Sequence, residues 1–284
     1  MIRLDASTVL LQWAVGGLFF LWVTTRRREV SLGYGWLLRG TYLLMAVGAV
    51  LTGLRYGEAV PLRDAASAAV ALAALAALVV SVQRRAAGVT GEREVTAARS
   101  ARVAAMTGIE RTRAAVDRST PEFPPALDLV APAVGLVGLV AAGIAAGDPA
   151  LLSVARTIVG AAFLGAVTDA MLLGHWYLVQ PGMPRGPLLE LVRWLAAIWP
   201  LEVLVMLWPT GMVSVIDGTI DDGYNGILGW MWIACAISTI VLVGVTRAAL
   251  KERQYSAVMA ATGLLYLAIL TAFGTDLVAR AVLA

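Results

Sequence analysis

Eight apolar runs, at residues 7–24, 34–54, 64–82, 127–147, 150–178, 188–208, 226–246 and 257–280, occupy most of the chain. Each is close to the ~20 residues that a helix needs to cross a hydrocarbon core about 30 Å thick. Backbone N–H and C=O groups find no water in such a core, so a crossing segment must satisfy them internally, as a helix does. A membrane β-barrel would instead show short segments of alternating polarity, and none are present in the sequence. With 60% hydrophobic and only 14% charged residues, the chain also lies outside the range of soluble domains. The predicted fold class is therefore all-α: a polytopic integral membrane bundle of eight transmembrane helices. The first run ends in Thr24, Thr25 and Arg26 to Arg28, without a small-residue cleavage site, and reads as a retained helix and not a signal peptide.

The connections between the runs alternate in charge. Arg26 to Arg28, the segment from Arg84 to Arg118, Arg185, and Arg247 with Lys251 and Arg253 fall on one side; Glu58, Asp64, Asp148, Asp217, Asp221 and Asp222 fall on the other. Basic loops stay on the cytoplasmic side, which predicts a multi-pass cell-membrane protein with both termini outside. The formal charge of +3 belongs to this bias and gives no reason to expect nucleic acid as a partner. The organisation predicted is three spans in residues 1–82, a basic cytoplasmic loop in 83–125 and five spans in 126–284.

Within that loop Val103, Met106, Ile109 and Val116 recur at helical spacing among Arg99, Arg102, Arg111, Arg113 and Arg118. A basic amphipathic helix on the anionic inner leaflet fits this pattern; a solvated connector and a partner-docking surface are the alternatives. Trp22 and Arg39 flank the first cytoplasmic hairpin, Trp176 and Arg193 flank the one between spans five and six, and each pair is seventeen residues apart. A parallel duplication in a 4+4 arrangement would produce that spacing. So would the ordinary placement of tryptophan and arginine at membrane interfaces. In helix number the layout is similar to polysulfide-reductase-type quinol-handling anchors, a likeness of count alone.

Charged side chains inside spans are the default functional candidates, because hydrocarbon solvates them poorly. Here they are Arg39, Arg156, Asp169, Glu190, Arg193, Glu202, Asp276 and Arg280. Asp276 and Arg280, four residues apart, suit a local ion pair, and Arg156 and Glu202 a structural salt bridge between neighbouring spans. That leaves Asp169 and the hairpin "GHWYLVQPGMPRGPLLELVRW", which carries the chain's single histidine. Counting outward from its Pro/Gly turn brings His175, Glu190 and Arg193 to similar levels near the cytoplasmic interface, with Asp169 roughly 9 Å deeper and Trp36 and Arg39 positioned to complete a pocket.

The candidate ligand-binding set is thus His175, Trp176, Tyr177, Glu190, Arg193, Asp169 and Arg39. An imidazole, a phenol, an aromatic platform and a fixed positive charge suit a quinone carbonyl that gains protons with its electrons, or a phospholipid head group. The structural alternative is an aromatic belt, a histidine at a helix end and a Glu190–Arg193 pair.

One histidine and one cysteine, Cys235, are too few for bis-histidine haem or a metal site of several such ligands. The acidic loop from Asp217 has Thr219 and Leu228 where an EF-hand needs ligands and reads as a surface turn. The "GIAAG" at Gly143 to Gly147 and the alanine-rich third span predict close helix packing. The functional expectation is a quinone-interacting or proton-conducting membrane subunit of an electron-transfer complex, held in the lipid bilayer beside cofactor-bearing subunits. The alternatives are a small-solute or ion transporter, for which Asp169, Glu202 and Pro200 speak, a lipid-modifying membrane enzyme, and a scaffold.

Overall fold

The computed structural model describes residues 2, 4–107, 121–180, 183–209 and 211–284. Among the described residues ten α-helices follow one another: α1 (Ala6–Thr25), α2 (Leu32–Arg55), α3 (Pro61–Gln83), α4 (Thr90–Thr107), α5 (Val130–Ala145), α6 (Ala150–Val179), α7 (Gly186–Leu207), α8 (Met212–Ile216), α9 (Ile227–Ala249) and α10 (Tyr255–Val282). No strand occurs among the described residues. Seven of the helices, α5 together with the turn before it from Pro125, are long and apolar enough to cross a membrane. The eighth expected span, α7, is 22 residues long but carries Glu190, Arg193 and Glu202, and the apolar criterion fails on those charges.

Local signals explain the helix starts. Asp5 caps α1, its Oδ2 accepting the hydroxyls of Ser7 and Thr8, each at 2.7 Å. Pro61 opens α3 and Pro187 lies in the first turn of α7, where the missing N–H has no helical partner to lose. Pro200 lies inside α7 and removes one backbone hydrogen bond there. In the acidic loop Asp222 accepts the backbone N–H groups of Tyr224, Gly226 and Leu228 at 2.8–2.9 Å and so fastens the start of α9, as expected of a turn.

Helix α1 runs through the middle of the bundle and packs on α2, α5 and α6; α6 packs in turn on α7 and α10, and α9 lies against α10 and α7. The α1–α6 crossing is the tightest. A Cβ on Gly16 would lie 1.7 Å from the Ala161 carbonyl oxygen, and one on Gly165 would lie 2.2 Å from the Gly16 carbonyl carbon. The two backbones touch there with no side chain between them. Gly143 likewise meets the backbone of Val154, so the "GIAAG" stretch packs α5 on α6 through its first glycine, while Gly147, at φ +113°, makes the turn between them. Large side chains that cannot be accommodated inside face outward: Leu44, Leu72, Leu151 and Leu270 are 67–84% exposed. Water solvates such a surface badly and lipid tails solvate it well.

Ile2 shares an apolar cluster with Met206, Trp232, Ala279 and Leu283, which places both chain ends at one end of the bundle. The opposite end is basic and densely hydrogen-bonded. Arg185 reaches the carbonyls of Leu250, Glu252, Arg253 and Gln254 in the α9–α10 turn. Glu122 gathers Arg28 (3.0 Å), Arg93 and Thr90 on its carboxylate, while its carbonyl accepts from Arg84 at 3.1 Å. The start of α4 is thereby held to the α1–α2 turn, and Glu92 adds a 2.7 Å bond to Gln180. Farther along α4 Arg102, Val103 and Met106 are exposed; Ile109, Arg111, Arg113, Val116 and Arg118, the rest of the expected amphipathic face, lie outside the described residues.

Replacing Gly16 with leucine should destabilise the protein by about 2 kcal/mol or more, since neither backbone can retreat without moving a whole helix. Gly244→Leu, where an added Cβ meets nothing within 4 Å, should leave the thermal midpoint of the detergent-purified protein almost unchanged. At Asp5 burial pushes the carboxyl up, but the Ser7 and Thr8 hydroxyls, Arg63 and the Thr8 N–H outweigh it and hold the group below its usual value. Its contribution is therefore complete above the ordinary carboxylate range near ~4 and is lost as pH falls through the lowered value. A pH series of thermal midpoints should show less acid sensitivity in Asp5→Ala than in the wild type.

Candidate functional site

Consecutive helical residues point about 100° apart, and the hairpin residues diverge accordingly. His175 is exposed and faces α10, its Nδ1 3.0 Å from the Tyr266 hydroxyl and the two rings edge to face. Trp176 turns toward the α1–α2 connection, donating from Nε1 to Ser31 Oγ at 2.9 Å with its ring against Tyr34. Tyr177 is buried and donates to the Pro184 carbonyl, tying the end of α6 to its own turn. Glu190 pairs with Arg26 and, at 3.3 Å, with Arg27, both from the turn that follows α1, and not with Arg193. Arg193 is exposed, one turn farther along α7. Among the described residues these five side chains thus engage different neighbours.

Arg39 does not join them. It is buried and forked onto Asp128, with Nε and Nη2 each 2.7 Å from a carboxylate oxygen. Ser81 accepts from its Nη1 at 3.3 Å, Thr25 donates to Asp128 at 3.2 Å, and Phe123 lies under the guanidinium at 4.2 Å. Trp36 donates to the same Ser81 hydroxyl at 3.0 Å. This is a sealed ion pair joining α2 to the approach to α5. Sequence reading passed over Asp128 because it sits at the edge of an apolar run.

Asp169 is in a different setting. It is fully buried where α1, α2 and α6 meet, its Oδ1 accepting the Tyr42 hydroxyl, while its backbone carbonyl accepts Tyr34 at 3.3 Å. Its Oδ2 has no hydrogen-bond partner and no cation pairs with it among the described residues. Gly17 makes the arrangement possible: a Cβ there would lie 1.9 Å from the Tyr42 ring.

A second buried group lies toward the end that holds the chain termini. Arg280 is forked onto Asp276 at 2.6 and 3.1 Å, the i,i+4 pair expected from the sequence. Arg156 donates to the Val205 carbonyl of α7 at 2.7 Å. Glu202 sits beside Asp276, Arg280 and Arg156, yet neither of its oxygens receives a hydrogen bond, so the expected Arg156–Glu202 bridge is not made. Gln12 donates to the Thr157 carbonyl at 2.6 Å, and its own amide oxygen has no partner. Gly160 leaves the room in which these meet: a Cβ there would stand 2.8 Å from Asp276 Oδ1, 3.0 Å from Gln12 Nε2 and 3.2 Å from Arg280 Nη2. Above the group opens a cleft of ≈ 540 Å³ walled by Asp5, Tyr56, Glu58 and Arg63, with the buried Thr157 and Arg280 at its inner end.

The sequence reading treated Arg156, Glu202, Asp276 and Arg280 as two structural pairs. The structure collects them with Gln12 below an open cleft. No family model matches the chain, and neither a curated protein nor a solved structure matches it.

For the sealed pair, Asp128→Ala strands a buried guanidinium and should destabilise by about 3–5 kcal/mol. The double replacement Arg39→Met, Asp128→Leu should recover most of that in a double-mutant cycle of thermal or denaturant midpoints.

Proposed function

We propose that this is an eight-span membrane protein, its termini outside and its basic end in the cytoplasm, that carries protons or a proton-linked small solute across the bilayer. The observation behind this reading is Asp169: a wholly buried carboxyl group with an unpartnered oxygen and, among the described residues, no cation paired with it. Asp128, by contrast, is committed to Arg39 on both oxygens. A carboxyl without a counter-ion can gain or release a proton without breaking an ion pair, and the Tyr42 hydroxyl, able to donate and accept, can pass that proton on.

The Glu202 group supports the same reading from the outer side. Its Glu202 carboxylate and Gln12 amide oxygen have no hydrogen-bond partner, and its Arg280 forms part of the inner end of a cleft wide enough for a small solute. Gly160, where that group gathers, and Asp169 are separated along α6 by roughly 14 Å. Between them the α1 and α6 backbones press together at Gly16 and Gly165, leaving no room for water between those two helices at that level. That closure favours a carrier, which opens to each side in turn, over an open channel. A quinone at the hairpin is the weaker reading, because its expected ligands face different neighbours.

In proteoliposomes carrying an internal pH dye, the wild type should acidify or alkalinise the lumen under an imposed potassium diffusion potential. Asp169→Asn should reduce the flux to that of empty liposomes, Glu202→Gln should slow it, and His175→Ala should leave it unchanged. Full flux in correctly folded Asp169→Asn would remove the proposal. For orientation, single cysteines in a Cys235→Ser background should react with an impermeant thiol reagent on intact cells at position 219, beside the acidic loop, and should stay unreactive at position 102.

A further inference from the structure

The groove between the end of α1 and the start of α7 is lined by both charge and grease, and it is separate from the buried carboxyls. It is an open groove of about 430 Å³, lined on α7 by Leu189, Glu190, Arg193, Trp194 and Ala197 and across from them by Arg27. Glu190 is occupied by Arg26 and Arg27. Arg193, exposed, forms no ion pair among the described residues. Arg26, Arg27 and Arg193 thus stand against Glu190 and, beside the lining Gly186, Glu29, so the groove keeps a surplus of one positive charge, carried by Arg193.

An apolar strip continues from it. Ala197, Leu201 and Leu204 follow Arg193 at helical spacing on the outward face of α7, the two leucines 52% and 57% exposed. From Arg193 to Leu204 the helix rises roughly 16 Å, about the hydrocarbon depth of one leaflet. Trp194, edge to face with Phe20 at 6.0 Å, stands at the boundary between the charged and apolar parts, where tryptophan is favoured in membranes.

We infer that this groove holds an anionic phospholipid, its phosphate diester between Arg27 and Arg193 and one acyl chain along Ala197, Leu201 and Leu204. A soluble phosphate would satisfy the arginines and leave the strip uncovered; a zwitterionic lipid would cover the strip and leave the charge unmatched. The site depends on α7 crossing the bilayer, and it stands whether or not Asp169 carries protons.

Native mass spectrometry of the delipidated protein, titrated with phosphatidylglycerol or phosphatidylcholine, tests it. The wild type should retain phosphatidylglycerol selectively. Arg193→Gln, an exposed change that leaves the Glu190 pairs intact, should weaken that retention about fivefold. Arg28→Gln, outside the groove, should retain it as the wild type does. Equal retention of the two lipids, equal retention by wild type and Arg193→Gln, an equal loss in Arg28→Gln, or displacement of the lipid by millimolar inorganic phosphate would each overturn the site.

Discussion

The contact of α1 with α6 at Gly16 and Gly165 is the constraint on which the rest of the molecule is arranged. Helices that cannot exclude water between them have little hydrophobic reason to associate in lipid, so close backbone approach and the dispersion contacts it allows must hold them. Two glycines facing each other bring α1 and α6 together with nothing between. Because α1 also carries α2 and α5, and α6 carries α7 and α10, that crossing sets the positions of both groups of helices. Gly17, next along the chain, extends the effect sideways by giving the Tyr42 ring its place and so delivering its hydroxyl to Asp169.

Around this seam the buried charges fall into two kinds. Arg39 with Asp128, and Arg280 with Asp276, are forked pairs whose hydrogen bonds offset much of the desolvation of both partners. Asp169 and Glu202 have no such compensation on the oxygens named above. An arrangement that leaves polar atoms uncompensated is costly to fold around, and it is this contrast within one protein that distinguishes groups suited to changing state from groups that hold the helices together.

The sequence discloses the large features well. Spans show themselves as apolar runs because lipid solvation demands them, and the helices fall close to the positions expected; only α7, with its three charges, departs from the apolar rule. The site was far less legible. Levels along two antiparallel helices can be counted from a turn, but azimuth cannot be, so His175, Trp176 and Tyr177 read as neighbours and in fact face α10, α2 and their own turn. Glu190 has an arginine three residues away on its own helix and still binds two from the α1–α2 turn, because tertiary packing brings them nearer. The gathering of Gln12, Glu202 and Asp276 joins three distant parts of the chain, and no local spacing announces it. Gln12 carries no charge to draw notice, and Asp276 has a local partner, Arg280, four residues on.

Glu122 gives the basic end a mechanical character. One carboxylate clasps the α1–α2 turn through Arg28 and the beginning of α4 through Thr90 and Arg93. Two residues before Arg28, Arg26 grips Glu190 at the foot of α7. A short chain of guanidinium–carboxylate contacts thereby joins α4, the α1–α2 turn and the start of α7, the helix that carries Glu202 toward its far end.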